Sequence, residues 1–296
     1  MKKLFFLMAL FCVTTAFGRT RVVTNEEEFL AALASNTTIV LDRNVHLNLS
    51  KILEDVSKFQ DVPGRWAGYS FEFEGTKPTI ISEPEFDGRQ LTLANFKNLT
   101  IRGQKNTSIV VEPRYSFCLN FLNCTNCTIE NLTIGHTEEG YCSGGVIGYN
   151  KGGNHIIKDC DLYGCGTYGV DAMETSNLTI VGTVIRDCSY GIMQLVNCSD
   201  VLFRDCDFLR NREYELISGR GCKNITYMDC RMYANNGDSP LFAFDGPFVL
   251  KSCEVYHPTE NLGTMDEADV SSDDNVFFEN PYDLGIKSRG TGPKGK

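Results

Sequence analysis

One short unit is written three times in succession, as Asn177-Leu-Thr-Ile180, Ser199-Asp-Val-Leu-Phe-Arg-Asp-Cys206 and Lys223-Asn-Ile-Thr-Tyr-Met-Asp-Cys230. Each copy places a polar residue before a short apolar run. With that residue as an anchor, the unit recurs through residues 98–255 at intervals of 28, 28, 23, 23, 24 and 23 residues. The anchors are Asn98, Asn126, Asn154, Asn177, Asp200, Asn224 and Pro247. A period of this length is typical of a solenoid.

The segments that follow the anchors predict strands rather than helices. They are short, β-branched and bounded by Gly, Asn or Asp, and no helical period runs through a coil. Several short strands in each coil predict a parallel β-helix and not a leucine-rich horseshoe. Counting the anchored coils and two or three earlier ones, we expect an all-β solenoid of about 9–10 coils, roughly 45 Å long at about 4.8 Å per coil.

The start of the chain carries two further elements. Residues 1–18 combine two lysines, a short apolar run and small residues, which predicts a signal peptide of bacterial type. The β-helix domain is expected over 19–257. It begins with a capping α-helix at 25–34, where Thr24 and Glu27 form a predicted capping box. Such a helix would cover the open end of the solenoid.

Two segments depart from the repeat. Residues 51–78, which contain the only tryptophan, predict an irregular insertion, either a functional loop or a plug against the first coils. Residues 258–296 are expected to be acidic and poorly ordered, although the segment Asn275-Val-Phe-Phe278 is placed to cover the last coil. The acidic run 266–274 makes calcium a candidate ligand, but it lacks a glycine-pivoted ligand spacing and fits a solvated linker better.

The overall charge limits the partners of the protein. The chain has 28 basic and 38 acidic residues and a net charge of −10. Removing residues 1–18, which hold two lysines and no acid, makes the net charge −12. An acidic chain without a basic cluster argues against nucleic acid and against anionic membranes. No stretch after the signal peptide is apolar enough for a transmembrane segment. We therefore expect an exported protein, periplasmic, on the cell surface or secreted.

Twelve cysteines follow the signal peptide. An even number in an exported protein suggests disulfides. However, Cys160, Cys206, Cys230 and Cys253 each stand six residues after an anchor and therefore form one column. Small apolar residues in register fit a buried ladder of free thiols. The ladder is the favoured interpretation, and disulfides are the alternative.

The pattern also resembles a known superfamily. The phrase Asn95-Phe-Lys-Asn-Leu-Thr-Ile-Arg-Gly103 and the helix before the first strand resemble the right-handed parallel β-helix of the pectin-lyase-like superfamily. The resemblance covers roughly Val22 to Tyr256. That superfamily includes polysaccharide lyases and polygalacturonases as well as adhesins and phage tailspikes, so the resemblance implies the fold and leaves the activity open. It makes a polysaccharide or surface glycan, bound along a lateral groove, the expected partner.

A candidate binding edge follows from the two 28-residue coils, whose extra residues fall around Glu112 and His136. Four tyrosines each stand two residues before the apolar start of a following strand, so they form one column along the rod. Tyrosine rings can stack on sugar faces, and nearby charges can bind hydroxyl or uronate groups. A half-buried aromatic ladder is the alternative interpretation. The predicted substrate-binding residues are Glu112, Arg114, Tyr115, Glu138, Glu139, Tyr168, Tyr190 and Tyr214.

The candidates for catalysis are less complete. A polysaccharide lyase needs a base, with calcium or another cation to stabilise the enolate, and a glycosidase needs two carboxylates at a set separation. The Pro-bracketed arginine pair and the Gly-His-Gly signature that the resemblance would supply are absent. The remaining candidates are Asp171, Glu174, Arg210, Arg212 and His136. The alternative is a non-catalytic surface or matrix scaffold, or an adhesin.

Overall fold

The computed structural model describes residues 18–59, 64–67, 70–73, 75–137, 144–164, 168–269 and 274–281. Apart from Gly18, the predicted signal peptide lies outside these residues. Within the described ranges, no helix is both long and apolar enough to cross a membrane.

Three parallel sheets form the sides of a β-helix, and each coil adds one strand to each sheet. Sheet 1 contains, in spatial order, Arg19–Val23, Thr37–Leu41, Leu99–Gly103, Thr128–Glu130, Ile147–Lys158, Tyr168–Val181, Ser199–Arg204, Lys223–Met228, Phe248–Lys251 and Ala268–Asp269. Sheet 2 contains His46–Asn48, Ser108–Val111, Thr133–His136, Asp161–Tyr163, Val184–Arg186, Asp207–Leu209, Arg231–Tyr233, Glu254–Tyr256 and Val276–Phe278.

Sheet 3 forms the remaining side. Its separate strands are Thr79–Glu85, Gly88–Ala94, Leu119–Thr125, Gly191–Val196, Ile217–Arg220 and Phe242–Phe244. The two long strands Ile147–Lys158 and Tyr168–Val181 bend around a corner, so their first halves belong to sheet 3 and their second halves to sheet 1. Thr79–Glu85 is antiparallel to the other strands of sheet 3. It forms a hairpin with Gly88–Ala94 at the end of the sheet.

The predicted all-β parallel solenoid is therefore confirmed. Seven successive coils carry a strand in all three sheets, and partial coils at both ends extend sheet 1 to ten described strands and sheet 2 to nine. The expected 9–10 coils correspond to these strand ladders rather than to complete turns.

The anchor residues turn the chain from sheet 3 into sheet 1. Asn98, Asn126 and Asn177 have φ values of 55°, 56° and 54°, in the left-handed region that Asn tolerates better than other residues with a Cβ. Their amides also form a ladder, since Asn126 Nδ2 donates to Asn98 Oδ1 at 2.5 Å and Asn177 Nδ2 donates to Asn154 Oδ1 at 3.2 Å. Backbone geometry and the amide ladder thus account for asparagine at these positions.

The interior is filled by stacked apolar columns. Cys206, Cys230 and Cys253 follow one another on successive coils and are fully buried. In the part of the chain that the structure describes, ten cysteines are free thiols and nine of them are buried, as the ladder interpretation expects. Phe203 stacks on Tyr227 with 4.9 Å between ring centroids. Burial of such side chains contributes roughly 1.5–3 kcal/mol each, so the interior supplies the stability of the scaffold.

The N-terminal helix spans Glu26–Ala32 and packs on the first two strands of sheet 1. Its N-cap is Asn25, whose Oδ1 accepts from the backbone N–H of Glu28 at 2.9 Å. Glu28 in turn accepts from the backbone N–H of Thr24 at 2.8 Å. The capping box therefore lies one residue later than the Thr24–Glu27 pair expected from the sequence, because Asn25 competes successfully for the cap position.

Residues 51–78 contain more regular structure than an open loop. Ser50–Glu54 is a short α-helix, Val56–Lys58 is a 3₁₀ turn, and Gly64–Ala67 pairs antiparallel with Ser70–Phe73. Two further 3₁₀ turns, at Thr259–Asn261 and Met265–Glu267, follow the last complete coil.

Parallel pairing continues past residue 257, where the repeat was expected to end. Ala268–Asp269 pairs with Phe248–Lys251 in sheet 1, and Val276–Phe278 pairs with Glu254–Tyr256 in sheet 2. The rings of Tyr256 and Phe278 stack at 4.2 Å between centroids. The strand at 276–278 covers the last coil, as its apolar residues predicted.

Candidate functional site

The outer face of sheet 3 carries a row of five polar side chains and one glycine, in register across six coils. Side chains alternate along each strand, so Val170 and Ala172 are buried in the interior while Asp171 points outward. Register places Asp171 between Gly148 and Gln194 on the neighbouring strands. The row consists of Thr92, Asn120, Gly148, Asp171, Gln194 and Ser218. We call this surface the sheet 3 face.

Glycines on this face make room for two aromatic rings. A Cβ at Gly145 would lie 2.5 Å from Cε1 of Phe117, and one at Gly148 would lie 3.2 Å from the same ring. A Cβ at Gly191 would lie 3.0 Å from Cε1 of Tyr168. The rings of Phe117 and Tyr168 therefore lie over glycines in the coils that neighbour their own.

Asp171 is half-buried between these features, and burial raises its pKa to about 7. Burial is also the main cause that raises the pKa of Tyr168 to about 12, followed by the negative charges of Asp171 and Glu215, while Arg220 acts in the opposite direction. These four groups are thus electrostatically coupled. The sheet 3 face combines a carboxyl that titrates near neutral pH with a phenol, a second carboxyl and a guanidinium.

A hydrogen-bond network extends the face toward the hairpin. Asn120 Nδ2 donates to Thr92 Oγ1 at 3.0 Å, and the Thr92 hydroxyl donates to Glu83 Oε2 at 2.6 Å. Glu83 is only 3% exposed, and burial raises its pKa. Gln90 donates to the same Glu83 oxygen at 3.0 Å and accepts from the backbone N–H of Phe117 at 2.7 Å, which helps to hold Phe117 in place.

The four predicted tyrosines do not have equal environments. Tyr168 is buried, Tyr190 is half-buried and Tyr214 is 56% exposed. Tyr190 and Tyr214 meet edge to face with 4.8 Å between centroids. Tyr115 instead packs against Phe86 at the hairpin tip, with 5.1 Å between centroids. The column therefore has a central part beside Asp171 and a separate end at the hairpin.

The charged residues of the predicted edge belong mainly to that hairpin end. Exposed Glu112 accepts from Asn48 Nδ2 at 2.9 Å. Asp87 accepts from the backbone N–H of exposed Arg114 at 2.7 Å, and its carboxylate lies 3.8 Å from Arg114 Nε. Nearby, burial and the charges of Glu83 and Asp87 raise the pKa of Glu85 to about 7. The predicted residues Glu138 and Glu139 lie outside the described residues.

The catalytic candidates are spread over the β-helix. Glu174 is exposed at the corner after sheet 3, with φ 49°, so it does not share the face of Asp171. His136 was expected on the surface but is buried, its Nε2 is 3.0 Å from the Ser116 carbonyl oxygen, and burial lowers its pKa to about 4. These contacts give His136 a structural position.

The two arginine candidates lie at the corner between sheets 2 and 3. Arg210, with φ 54°, donates to both oxygens of Asp187 at 2.7 and 2.9 Å. Arg210 and exposed Arg212 line a surface cavity of about 490 Å³. Among the described residues, no group of three or more Asp, Glu, His or Cys side chains is arranged to hold a metal ion.

Several residues of the sheet 3 face were not singled out as site residues from the sequence. They are Glu83, Gln90, Thr92, Asn120, Gln194, Glu215 and the aromatic residue Phe117. The sequence offers one signal for this face. A glycine that lies beside a strand of the next coil leaves room for an aromatic ring from that coil.

Comparison with known proteins agrees with this architecture. Residues 86–214 and 117–277 match the family model described as right handed beta helix region. A search of curated proteins gave no match. Among solved structures, the pectate lyase from Paenibacillus sp. 0602 is similar with 12% identity and a TM-score of 0.50, over 81% of this chain and 71% of that chain.

Two further solved structures are similar at lower scores. One is the alginate lyase from Paenibacillus sp. str. FPU-7, with 9% identity and a TM-score of 0.49 over 89% of this chain and 97% of that chain. The other is the Streptococcus pneumoniae surface protein and adhesin PfbA, with 13% identity and a TM-score of 0.45 over 90% of this chain and 89% of that chain. At such identities the likeness concerns the fold. Because the family matches span more than half of the sequence, the chain belongs to the right-handed parallel β-helix family and has the pectin-lyase-like fold.

Proposed function

We propose that this protein is exported and binds a polysaccharide chain along the sheet 3 face. The observation that carries the proposal is the placement of two aromatic rings, Phe117 and Tyr168, over glycines beside the outward-facing Asp171. The half-buried ring of Phe117 can stack on the apolar face of a sugar, and the buried ring of Tyr168 shapes the surface beside it. Asn120, Asp171 and Gln194 stand in one row between and beside the rings, where they can exchange hydrogen bonds with hydroxyl groups.

The shape of the scaffold supports a polymeric ligand. Successive coils repeat the same outward position about every 4.8 Å, so a row of side chains runs along the rod. A linear glycan can contact several coils at once, and such repeated contacts are how solenoids bind extended partners. The net charge of −10 favours a glycan over nucleic acid as the partner.

Cleavage of the bound glycan is a second candidate function, supported by Asp171. A general base or acid works best when its pKa lies near the working pH, and the pKa of Asp171 is about 7. In this proposal Asp171 takes a proton from the sugar or gives one to it, and the guanidinium of Arg220, two coils further along the sheet 3 face, stabilises negative charge. Without turnover, the same face would serve an adhesin or matrix scaffold.

A glycan array with the mature protein tests binding, and product analysis on uronate polymers, with and without calcium, tests cleavage. Tyr168→Ala should weaken binding about tenfold, which corresponds to about 1.4 kcal/mol. Tyr163→Ala is the matched control, because Tyr163 is half-buried on the outer face of sheet 2 beside Arg186. Equal loss in both variants would contradict a site on sheet 3.

Asp171→Asn separates the two functions. The side chain keeps its size and can still exchange hydrogen bonds with sugar hydroxyls, so glycan binding should change by less than about threefold, whereas turnover should fall about 100-fold or more. Unchanged turnover would remove Asp171 from proton transfer. If the wild-type protein binds no glycan on the array, a purely structural role as a surface or matrix scaffold is favoured.

A further inference from the structure

Two cysteines on neighbouring coils, Cys198 and Cys222, lie side by side where sheet 3 turns into sheet 1. Strand register pairs Val196 with Arg220 before them and Ser199 with Lys223 after them. Neighbouring strands lie about 4.8 Å apart, which falls within the range of about 4.4–6.8 Å between the Cα atoms of disulfide-bonded cysteines. The backbone therefore already has the spacing that a disulfide needs.

The two thiols also influence each other. Each side chain interacts with the other, and each sulfur also contacts a backbone carbonyl. Cys198 Sγ lies 3.3 Å from the Ala172 oxygen, and Cys222 Sγ lies 3.4 Å from the Leu195 oxygen. The two sulfurs therefore belong to adjacent coils at one position of the repeat.

Access distinguishes this pair from the other cysteine contacts. Of the ten cysteines that the structure describes, Cys222 is the one that is not buried. Cys206 and Cys230 are spaced by the same 24 residues and are also in thiol contact, but both are fully buried. A reagent in solution can thus reach Cys222 and not the neighbouring ladder.

We propose that Cys198 and Cys222 are a site of reversible disulfide formation that links two coils of the β-helix through thiol–disulfide exchange with a small disulfide. The Cys222 thiolate attacks one sulfur of the small disulfide, forms a mixed disulfide and releases one thiolate. Cys198 then attacks the Cys222 sulfur and releases the second thiolate. The two protein thiols lose two protons and two electrons, and the small disulfide becomes two thiols.

The local chemistry assigns the two roles. The neighbouring Cys198 side chain lowers the pKa of Cys222, which favours the thiolate on the accessible sulfur. The same contact, together with burial, raises the pKa of Cys198, which suits a resolving thiol that reacts only inside the mixed disulfide. The bond would join Gly191–Val196 to Ile217–Arg220, the strands that carry Gln194 and Arg220 on the sheet 3 face.

The experiment treats the folded full-length protein with oxidised glutathione at neutral pH, alkylates the remaining thiols after denaturation, and maps tryptic peptides by mass spectrometry. The expected product joins the tripeptide 221–223 to peptide 187–204, with the loss of two hydrogen atoms. Peptide 187–204 also contains Cys188, so fragment ions or a Cys188→Ser variant must assign the link to Cys198. The matched control is Cys206 and Cys230, in peptides 205–210 and 224–231, which should remain unlinked.

A Cys198→Ser variant provides the second measurement. It should stop at the mixed disulfide and keep glutathione on Cys222. If the wild-type protein likewise keeps glutathione on Cys222, leaves Cys222 unmodified or links it to another cysteine, the proposal is overturned. None of these outcomes depends on glycan binding.

Discussion

Replacing Asp171 with asparagine should stabilise the protein at neutral and alkaline pH. Burial raises the pKa of Asp171 from 3.8 to about 7, so the folded protein keeps a proton on this carboxyl at pH values where the unfolded chain releases it. One pKa unit corresponds to about 1.4 kcal/mol, and ionised Asp171 therefore costs up to about 4 kcal/mol. Asparagine resembles the protonated carboxyl in size and never carries this charge.

The expected difference has a defined sign and pH window. Since the folded-state pKa is raised, wild-type stability falls as the pH rises from 3.8 to about 7. The free energy of unfolding of Asp171→Asn should equal that of the wild type near pH 4 and exceed it by about 2–4 kcal/mol near pH 8. Urea unfolding at several pH values measures this difference, provided that the slope with urea stays the same.

Glu174→Gln is the control for this experiment. Glu174 lies three residues further along the same strand and is exposed at the corner. Its replacement should change the free energy of unfolding by no more than about 0.5 kcal/mol, because the side chain is exposed. A difference for Asp171→Asn that is constant from pH 4 to 8, or a more stable wild type at pH 8, would refute the argument that Asp171 is desolvated.

Three further changes test the scaffold. Ala234→Gly should raise the free energy of unfolding, measured by urea unfolding, by about 0.5–1 kcal/mol, because Ala234 has φ 53° and glycine adopts this conformation without strain. A loss of stability would show that the backbone at Ala234 is not strained. Arg186→Met should cost about 3 kcal/mol in the same assay, since buried Asp161 loses a bidentate partner at 2.7 and 2.9 Å. The double variant with Asp161→Asn should recover part of that loss. Phe29→Ala should cost about 3–5 kcal/mol because Phe29 is fully buried on the inner side of the capping helix. A cost below about 1 kcal/mol would mean that the helix does not close the end of the solenoid.

The fold could be predicted because every coil repeats the same local constraints. A residue such as Asn126 must turn the chain with positive φ, and the apolar residues after it must alternate with the pleat of the strand. Six of the seven anchors have this positive φ, and the remaining one, Pro247, still keeps the spacing, so the period stays recognisable. Even the strand at 276–278 could be recognised by its apolar residues, although the repeat before it is interrupted.

The site could be predicted only in part, because it depends on contacts between coils. Tyr168 was found through its column, but its position over Gly191 requires the register of two strands that are 23 residues apart. His136 shows the same limit in the opposite direction. A histidine in a long coil suggested a surface group, whereas burial beside the Ser116 carbonyl makes it part of the scaffold.

Asp171 and Glu174 show most clearly what separates a site residue from a turn residue in this fold. Both are acidic, and both lie within Tyr168–Val181, so composition and spacing treat them alike. Asp171 faces outward from a flat part of sheet 3, where Tyr168 and the neighbouring coils exclude water from the carboxyl. Glu174 occupies the corner at φ 49°, in the column that holds Asn123 and Asn197 on other coils. The chemistry of a β-helix carboxylate is therefore decided by its place in the coil, and the raised pKa of Asp171 is a consequence of lying on the face rather than at the corner.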